Sequence, residues 1–285
     1  MGLPSDATVA ATTPVSRAPS VAPLGSTTPV QSPYLEVIVP AINEETRLVP
    51  SLRRIARYLA AQAYVGAIAV VDNGSTDRTA ELALSCADLG VPLRLLGCAR
   101  PGKGAAVRRG VLTSSAPFVG FSDADLATPI ETLDAVLPAL EHGSQVVIAS
   151  RRCPGAKYAQ RQPWSRRLAS YAFRSAARAC AREVASVSDT QCGFKFFDRS
   201  AAQALFRASR ATGFAFDIEI LALAHLAGYA ITEVPARWQH QEGSKLSIGR
   251  EANRVFTELM WVRQNLKGQP SFGVGDEVPI EGVLA

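Results

Sequence analysis

Two aspartates stand one residue apart in the stretch FSDADLATP (121–129), directly after an apolar run. Carboxylates this close repel each other unless a positive group lies between or beside them. Thr128 and Pro129 form a good N-cap and first-turn pair for a helix, but that local role does not explain Asp123 and Asp125. Hard oxygen ligands suit Mg²⁺ or Mn²⁺, which usually take one or two carboxylates together with substrate phosphates. We therefore expect the two acids to hold a divalent cation that in turn binds a diphosphate.

Asp72 also follows an apolar run directly, in VVDNGSTDRT (70–79). Turn-forming residues come next, and Thr76 or Asp77 could cap the helix that follows. An aspartate in this position can accept hydrogen bonds from a nucleotide base or ribose, although a well-formed strand–turn–helix junction also accounts for it. The stretch VPAINEE (39–45) can also be explained without a ligand, because its glutamates suit the first turn of a helix.

Lys103 lies in the glycine-rich stretch GCARPGKGAAVRRG (97–110). It matches the first part of the phosphate-loop pattern GxxxxGK, but Gly104 stands where that pattern needs Ser or Thr. Val107 occupies the place of the third glycine in GxGxxG, so a dinucleotide fingerprint is not supported either. What remains is a turn that allows close backbone approach before a helix N-terminus. There Lys103 is either a phosphate contact or a solvated lysine.

Later segments offer further charged candidates. They are Arg151 in IASRR, Lys195 in DTQCGFKFF, Asp217 and Glu219 in FDIEIL, and Lys245 in GSKLS. Each of these residues by itself is more often solvated than a ligand. Glu219, in an apolar setting, is the most unusual of them.

Short apolar runs alternate with helical patterns along the chain. The predicted strands are LEVIV (35–39), AIAVV (67–71), LRLLG (93–97), PFVGF (117–121) and QVVIA (145–149), and the predicted helices are 47–62, 76–87 and 104–114. We expect Pro40 to stop the first strand. Most runs are apolar at nearly every position, as strands covered on both faces are. The pattern predicts an α/β fold with a mainly parallel sheet flanked by helices and with ligands at the carboxyl ends of the strands.

Composition limits the class of protein. The 285 residues include 47% hydrophobic residues and carry a formal net charge of +5, which suits a globular chain with an anionic partner. The five cysteines form no CxxC pair, which predicts free thiols in a reducing compartment. No apolar run reaches membrane-spanning length and no signal-peptide pattern is found, so the sequence predicts a cytoplasmic protein.

Three regions are expected. Residues 1–33 are rich in Pro, Ser and Thr and are predicted to be a disordered tail. Residues 34–267 are predicted to form one folded domain, and residues 268–285 a second loose tail.

With Asp72, Lys103 and the Asp-x-Asp pair in this order, the chain resembles the family 2 glycosyltransferases of the GT-A fold. It is most similar to the polyprenyl-phosphate sugar synthases, and among them to the dolichyl-phosphate β-glucosyltransferases. The stretches that carry the resemblance are VIVPAINEE, VVDNGSTDRT, GKGAAVRRG, SDADLATP, IASRR, DTQCGFKFF, FDIEIL and GSKLS. The resemblance implies a Rossmann-like GT-A fold and transfer of a hexose from a nucleotide diphosphate to a polyprenyl or dolichyl monophosphate.

The resemblance also implies a role for each matching residue. The donor-binding residues would be Pro40, Ile42, Glu44, Asp72, Lys103, Asp123, Ala124, Asp125 and Lys245. Asp123 and Asp125 would bind Mg²⁺ or Mn²⁺, with Asp125 the more direct ligand, and Lys245 would close over the diphosphate as the third catalytic residue. Arg151, Gln191 and Lys195 would face the acceptor phosphate or the sugar.

This chain departs from the family pattern at two positions and agrees with one of its subgroups in two stretches. Many relatives have a second acid after the second strand, where this chain has Asn73. The mannosyl relatives often have a polar residue where this chain has Ala127. The sequences DLATP and TQCGFKFF resemble the glucosyltransferases of the family more than the mannosyltransferases. UDP-glucose is therefore the expected donor and GDP-mannose the alternative.

The acceptor decides whether a base is needed. A phosphate monoester has a second pKa of about 6 and is mostly ionised at neutral pH, so it needs no general base. A soluble hydroxyl acceptor, the alternative, would need one, and Asp217 or Glu219 would be the candidate. The resemblance implies inversion at the sugar carbon, with the cation and Lys245 neutralising the departing diphosphate.

A lipid acceptor requires a route to the membrane. In residues 164–184, Arg167, Arg174, Arg178 and Arg182 fall on one helical stripe. This predicts either a basic amphipathic helix at the cytoplasmic membrane surface or an ordinary surface helix. Nucleic acid is not an expected partner, because the paired acids would then be unexplained.

Overall fold

A seven-stranded sheet forms the centre of the computed structural model, which describes residues 32–158, 175, 180–238 and 248–267. The strands are β1 (Leu35–Ala41), β2 (Gly66–Asp72), β3 (Leu93–Gly97), β4 (Phe118–Ser122), β5 (Val146–Ser150), β6 (Lys157–Tyr158), β7 (Phe194–Asp198), β8 (Ile231–Pro235) and β9 (Arg237–Trp238). The helices are α1 (Leu48–Ala60), α2 (Thr79–Leu84), α3 (Lys103–Leu112), α4 (Leu133–Glu141), α5 (Arg199–Ala208), α6 (Phe216–Leu226) and α7 (Ile248–Lys267). Ile130–Thr132 and Arg182–Val184 form 3₁₀ turns.

Seven of these strands form the large sheet in the order β3-β2-β1-β4-β7-β5-β8, and β6 pairs with β9 in a separate two-stranded sheet. β1 pairs in parallel with β2 and β4, β2 with β3, and β5 with β8. This confirms the prediction of a mainly parallel sheet flanked by helices. Strand β7, which the sequence did not predict, runs antiparallel between β4 and β5. Lys195, the second residue of β7, interrupts the apolar run and hides the strand signal.

The apolar residues of the strands are buried on both faces of the sheet. Ile38 packs with residues of α3, α5 and α6 on one face, whereas Val37 and Val39 pack with α1 and α4 on the other. This alternation explains why β1 is apolar at nearly every position. The two layers fix the strands firmly, so the loops at their carboxyl ends have a rigid support.

Two predicted boundaries are wrong. β1 continues through Pro40 to Ala41, because β1 pairs with β2 over its whole length while its pairing with β4 ends at Ile38. A missing N–H at Pro40 therefore removes no bond to β4. Helix α2 spans Thr79–Leu84 rather than the predicted residues 76–87. The preceding turn is held by other bonds, such as the one from the Thr76 amide to the Asn43 side chain.

Several predictions fall outside the described residues. They include Lys245 and most of the tails, 1–33 and 268–285. Most of the proposed membrane-surface helix (164–184) also lies outside. At its end the structure differs from the prediction, because Ala181 is extended and Arg182 lies in a 3₁₀ turn. Arg182 therefore does not continue a helical stripe. Among the described helices, none combines the length and apolar character needed to cross a membrane.

Candidate active site

Asp123 and Asp125 lie in a tight turn at the carboxyl end of β4. The Asp123 carbonyl accepts a hydrogen bond from the Leu126 amide, at 3.0 Å. Leu126 is buried and has a left-handed backbone with φ of 48°, which is rare for a bulky residue. Strained backbone of this kind persists only where the surroundings impose it, and it is frequent at functional sites. The turn thus holds both acids at one edge of the sheet, as the sequence predicted.

Lys103, the first residue of α3, is bound to this turn. Its Nζ lies 2.5 Å from Asp123 Oδ1, and the Asp123 side chain remains 37% exposed. Burial would lower the pKa of Lys103, but the carboxylates of Asp123, Asp217 and Asp125 outweigh it and raise that pKa. The lysine is therefore held in its charged form beside the pair of acids.

The two acids retain negative charge that Lys103 does not fully offset. Burial and the like charge of Asp123 raise the pKa of Asp125, whose Oδ1 accepts a hydrogen bond from the Ala127 amide. A second cation beside Asp125 would relieve this repulsion. Among the described residues, no group of three or more His, Cys, Asp or Glu side chains is placed to hold a metal ion. Two carboxylates nevertheless fit Mg²⁺ or Mn²⁺, because such ions complete their coordination with water and substrate phosphates.

Asp72 lies at the end of β2, two strands from β4 in the sheet. Its Oδ2 accepts a hydrogen bond from the Ser75 amide, at 3.3 Å. Its Oδ1 is buried and finds no hydrogen-bond partner among the described residues. Buried acceptors are normally paired, so this oxygen is suited to a donor group on a ligand.

Asn73, next to Asp72, holds the loop that leads to Lys103. Its Nδ2 donates to the carbonyls of Cys98 and Arg100, at 3.1 and 2.7 Å, and its Oδ1 accepts from the Gly102 amide at 2.7 Å. An ionised aspartate here could accept from Gly102 but could not donate to the two carbonyls. The departure from the family pattern at this position thus has a structural reason.

The glycines of this loop serve packing. Gly102 has φ of 116°, and a Cβ on it would overlap the Thr212 carbonyl. A Cβ on Gly104 would lie 2.6 Å from Phe216 Cβ. Gly104 therefore allows α3 to approach the start of α6, which explains why the chain departs from the phosphate-loop pattern at this residue.

Lys245 lies outside the described residues, and the other predicted donor residues, Pro40, Ile42, Glu44 and Ala124, follow the ends of β1 and β4. Ile42 is 50% exposed, which is unusual for a large apolar side chain in this structure. Glu44 is bound to Arg47 through two hydrogen bonds, and its amide donates to Thr79 Oγ1. Pro40 is partly exposed and Ala124 is buried. Ile42 therefore offers apolar surface for a ligand, whereas the Glu44 carboxylate is already engaged.

Arg151 and Gln191 are brought together by Asp189. Arg151 Nε and Nη2 donate to Asp189 at 2.6 and 2.8 Å, and the Gln191 amide donates to Asp189 Oδ1. Burial would raise the pKa of Asp189, but Arg151 outweighs it and lowers the pKa to about 2. Gln191 Nε2 is buried without a hydrogen-bond partner in the described part of the chain. The sequence missed Asp189, whose only signal is an acid directly before Thr-Gln.

Lys195 is placed differently from what the sequence suggested. It is the second residue of β7 with 0% exposure, and its Nζ donates to Asp217 Oδ1 at 2.5 Å and to the Cys192 carbonyl at 2.7 Å. Leaving either charge of such a buried pair without its partner costs about 3–5 kcal/mol. Contact between Lys195 and an acceptor phosphate would require that separation, so the described geometry does not favour it.

The two candidate bases are enclosed as well. Asp217 is occupied by Lys195, and burial raises its pKa although the lysine opposes this. Glu219 Oε2 accepts hydrogen bonds from the amides of Arg210 and Ala211, and burial raises its pKa too. Both carboxylates hold local structure in the described chain, and neither is exposed to a substrate.

The comparisons with known proteins agree with this architecture. The model of the family Glycosyl transferase family 2 matches residues 36–206. The dolichyl-phosphate β-glucosyltransferase ALG5C of Trichomonas vaginalis is 35% identical over 227 residues, which cover 75% of this chain and 66% of that protein. The dolichyl-phosphate β-glucosyltransferase of Dictyostelium discoideum is 32% identical over 248 residues, covering 82% and 75%. The human enzyme of the same name is 33% identical over 243 residues, covering 80% and 74%.

A solved structure extends the likeness to the fold. Glucosyl-3-phosphoglycerate synthase from Mycobacterium tuberculosis, in complex with Mn²⁺, UDP and glucosyl-3-phosphoglycerate, aligns with a TM-score of 0.62 at 21% identity. The alignment covers 84% of this chain and 81% of that one. At this identity the likeness shows the fold alone, which is the predicted GT-A fold. Together with the family match over most of the described sheet, it leads to one conclusion: the chain belongs to glycosyl transferase family 2.

Proposed function

We propose that the chain is an inverting, metal-dependent glucosyltransferase that moves glucose from UDP-glucose to a polyprenyl or dolichyl monophosphate. The observation that carries this proposal is the meeting of Asp123, Asp125 and Lys103 at one sheet edge. The names of the relatives support a dolichyl phosphate acceptor and glucose as the sugar. Solved structures with the same fold, crystallised with Mn²⁺ and UDP-glucose, support the donor and the ion.

The donor would lie across the ends of β2, β1 and β4. Asp72 Oδ1 would accept a hydrogen bond from the base or ribose, and Ile42 would give that group an apolar surface. Lys103 would stand near the diphosphate. Pro40, Glu44 and Ala124 would line the pocket, and Lys245 would close over it.

Asp123 and Asp125 would hold Mg²⁺ or Mn²⁺, which when bound neutralises negative charge on a diphosphate leaving group. The protein contributes the positions of these carboxylates, and Lys103 prevents their repulsion from opening the turn. The strained backbone at Leu126 preserves that arrangement before substrate arrives.

The acceptor phosphate would approach from the β5 side. Arg151, whose side chain stays 21% exposed although it is paired with Asp189, would contact the phosphate, and Gln191 Nε2 would offer an unused donor. A prenyl phosphate oxygen is already ionised near neutral pH, so no protein base is needed. The engagement of Asp217 and Glu219 inside the fold agrees with this and does not support the hydroxyl-acceptor alternative. A lipid acceptor would bring the chain to a membrane surface, and we propose its cytoplasmic face.

The experiment incubates the purified chain with UDP-glucose or GDP-mannose, Mg²⁺ or Mn²⁺, and either a short prenyl phosphate or a simple alcohol. We expect nucleotide release only with UDP-glucose, metal and prenyl phosphate, and loss of about 10²–10³-fold in rate for Asp125→Ala. Asp88→Ala, at an exposed position in the loop between α2 and β3 that leads to the amino end of β3, is the matched control and should retain the wild-type rate. An Asp125→Ala variant as active as the wild type would refute the proposal.

A further inference from the structure

The buried pair of Lys195 and Asp217 is joined to Asp123 by a short chain of contacts. Lys195 Nζ donates both to Asp217 and to the carbonyl of Cys192. The next residue, Gly193, accepts a hydrogen bond on its carbonyl from the Asp123 amide, at 3.0 Å. The ammonium group thus fixes a loop that in turn binds the backbone of a proposed metal ligand.

Gly193 also contacts the Asp123 side chain. A Cβ added to Gly193 would overlap all three atoms of the Asp123 carboxylate. The loop backbone therefore lies directly against that group. The carboxylate has Lys103 on one oxygen and this glycine beside it. Any displacement of the loop would therefore change where the carboxylate points.

One aromatic pair connects the two lysines. The Nζ atoms of Lys103 and Lys195 lie 5.7 and 5.5 Å from the centre of the Phe121 ring. Phe121 packs against Phe216, which directly precedes Asp217, with 5.5 Å between the ring centres. Ammonium groups are attracted to aromatic rings at this range. The start of α6 therefore supports both lysines at once.

We propose that Lys195 and Asp217 are positioning residues that hold the Cys192–Gly193 backbone and thereby orient the Asp123 carboxylate toward a divalent cation. The proposal rests on the proposed function in taking Asp123 as a metal ligand. The pair itself touches neither donor nor acceptor. This gives the lysine in DTQCGFKFF a role that differs from the acceptor contact suggested by its sequence.

A purely stabilising role makes a different prediction. A buried ion pair can often be replaced by apolar residues of similar volume without loss of stability. Such a replacement fills the space but cannot donate to the Cys192 carbonyl. The double variant Lys195→Met/Asp217→Leu therefore separates the two roles, because it keeps the packing and removes the hydrogen bond that fixes the loop.

The test measures Mn²⁺ binding in the presence of UDP, by titration calorimetry or by the electron paramagnetic resonance of free Mn²⁺. We expect the double variant to bind Mn²⁺ about 10–100-fold more weakly, as when groups that orient metal ligands are changed. Hydrogen exchange without metal should show a protected Asp123 amide in the wild type and faster exchange in the variant. Glu36→Leu/Arg94→Met, which removes another carboxylate–cation pair at the opposite end of β1, should leave both readouts unchanged.

A folded double variant with wild-type Mn²⁺ affinity and wild-type protection of Asp123 would overturn the proposal. If that variant does not fold, Lys195→Met/Asp217→Asn replaces it, because methionine cannot donate to the Cys192 carbonyl either, with the same expectation and the same contrary result. If neither folds, the wild type decides, because rapid exchange of the Asp123 amide would contradict a loop held by Lys195. A wild type that binds no Mn²⁺ with UDP would defeat the proposed function instead, and Asp123 exchange would still judge the positioning role.

Discussion

The two halves of the sheet hold their charged residues in different ways. At the ends of β2 and β4, Asp72 has a buried oxygen without a hydrogen-bond partner in the described chain, and Asp125 is crowded by Asp123. Around β5 and β7, the corresponding charges are closed into pairs, Arg151 with Asp189 and Lys195 with Asp217. The first half therefore keeps an unused acceptor oxygen and crowded negative charge, which suit the ligand that we propose. The second half uses charge mainly to fix its own backbone.

The largest expected effect is on stability in the second half. Lys195→Met leaves Asp217 buried without its cation, so the free energy of unfolding should fall by about 3–5 kcal/mol. Urea unfolding followed by circular dichroism measures it. A loss below that of an average surface substitution would mean that the pair is not closed in solution.

Lys103→Met should show the opposite balance. The Lys103–Asp123 pair is partly exposed, and such pairs contribute about 0–1 kcal/mol to stability. If Lys103 stands near the donor diphosphate, the transfer rate should fall about 10–100-fold while unfolding changes little. Parallel rate and urea measurements on Lys103→Met and Lys195→Met check this contrast. Equal stability losses in the two variants would remove the distinction between the halves.

The Arg151–Asp189 pair predicts a pH dependence in the second half. The folded-state pKa of Asp189 is about 2, below its unfolded value of about 3.9, so its stabilisation is complete above the unfolded pKa. It is lost as pH falls through that window and amounts to about 2–3 kcal/mol. The difference in unfolding free energy between the wild type and Asp189→Asn should therefore shrink between pH 6 and pH 2. If this difference does not change with pH, Arg151 does not lower the pKa of Asp189 in the folded state.

The smallest expected effect concerns Asn73. Asn73→Asp removes the donors to the carbonyls of Cys98 and Arg100, which should cost about 1–3 kcal/mol and loosen the loop before Lys103. Urea unfolding and the KM for UDP-glucose measure the two consequences. Asn43→Asp, at the exposed loop after β1, is a comparison variant of the same chemical change. A lower KM for UDP-glucose in Asn73→Asp would contradict this expectation. It would show that a second acid binds the nucleotide base more strongly than the loop contacts of Asn73 favour binding.

Much of the first half could be predicted from the sequence, and much of the second could not. The strands β1 to β4 are apolar runs followed by polar residues, so their type and their order signal both the sheet and its binding edge. Strand β7 carries a buried lysine, and no local pattern indicates that an aspartate twenty-two residues later neutralises it. The same limit explains why Asp189 was missed.

The sequence by itself determined the α/β class, the family and the position of an acidic pair after an apolar strand, because these depend on residue types and short spacings. Only the tertiary structure decided which charges are exposed and which are closed into pairs. That outcome depends on partners distant along the chain. The sequence does not distinguish an aspartate beside a buried lysine from one at the open edge of the sheet. Their chemistry differs because burial makes an unpaired charge costly.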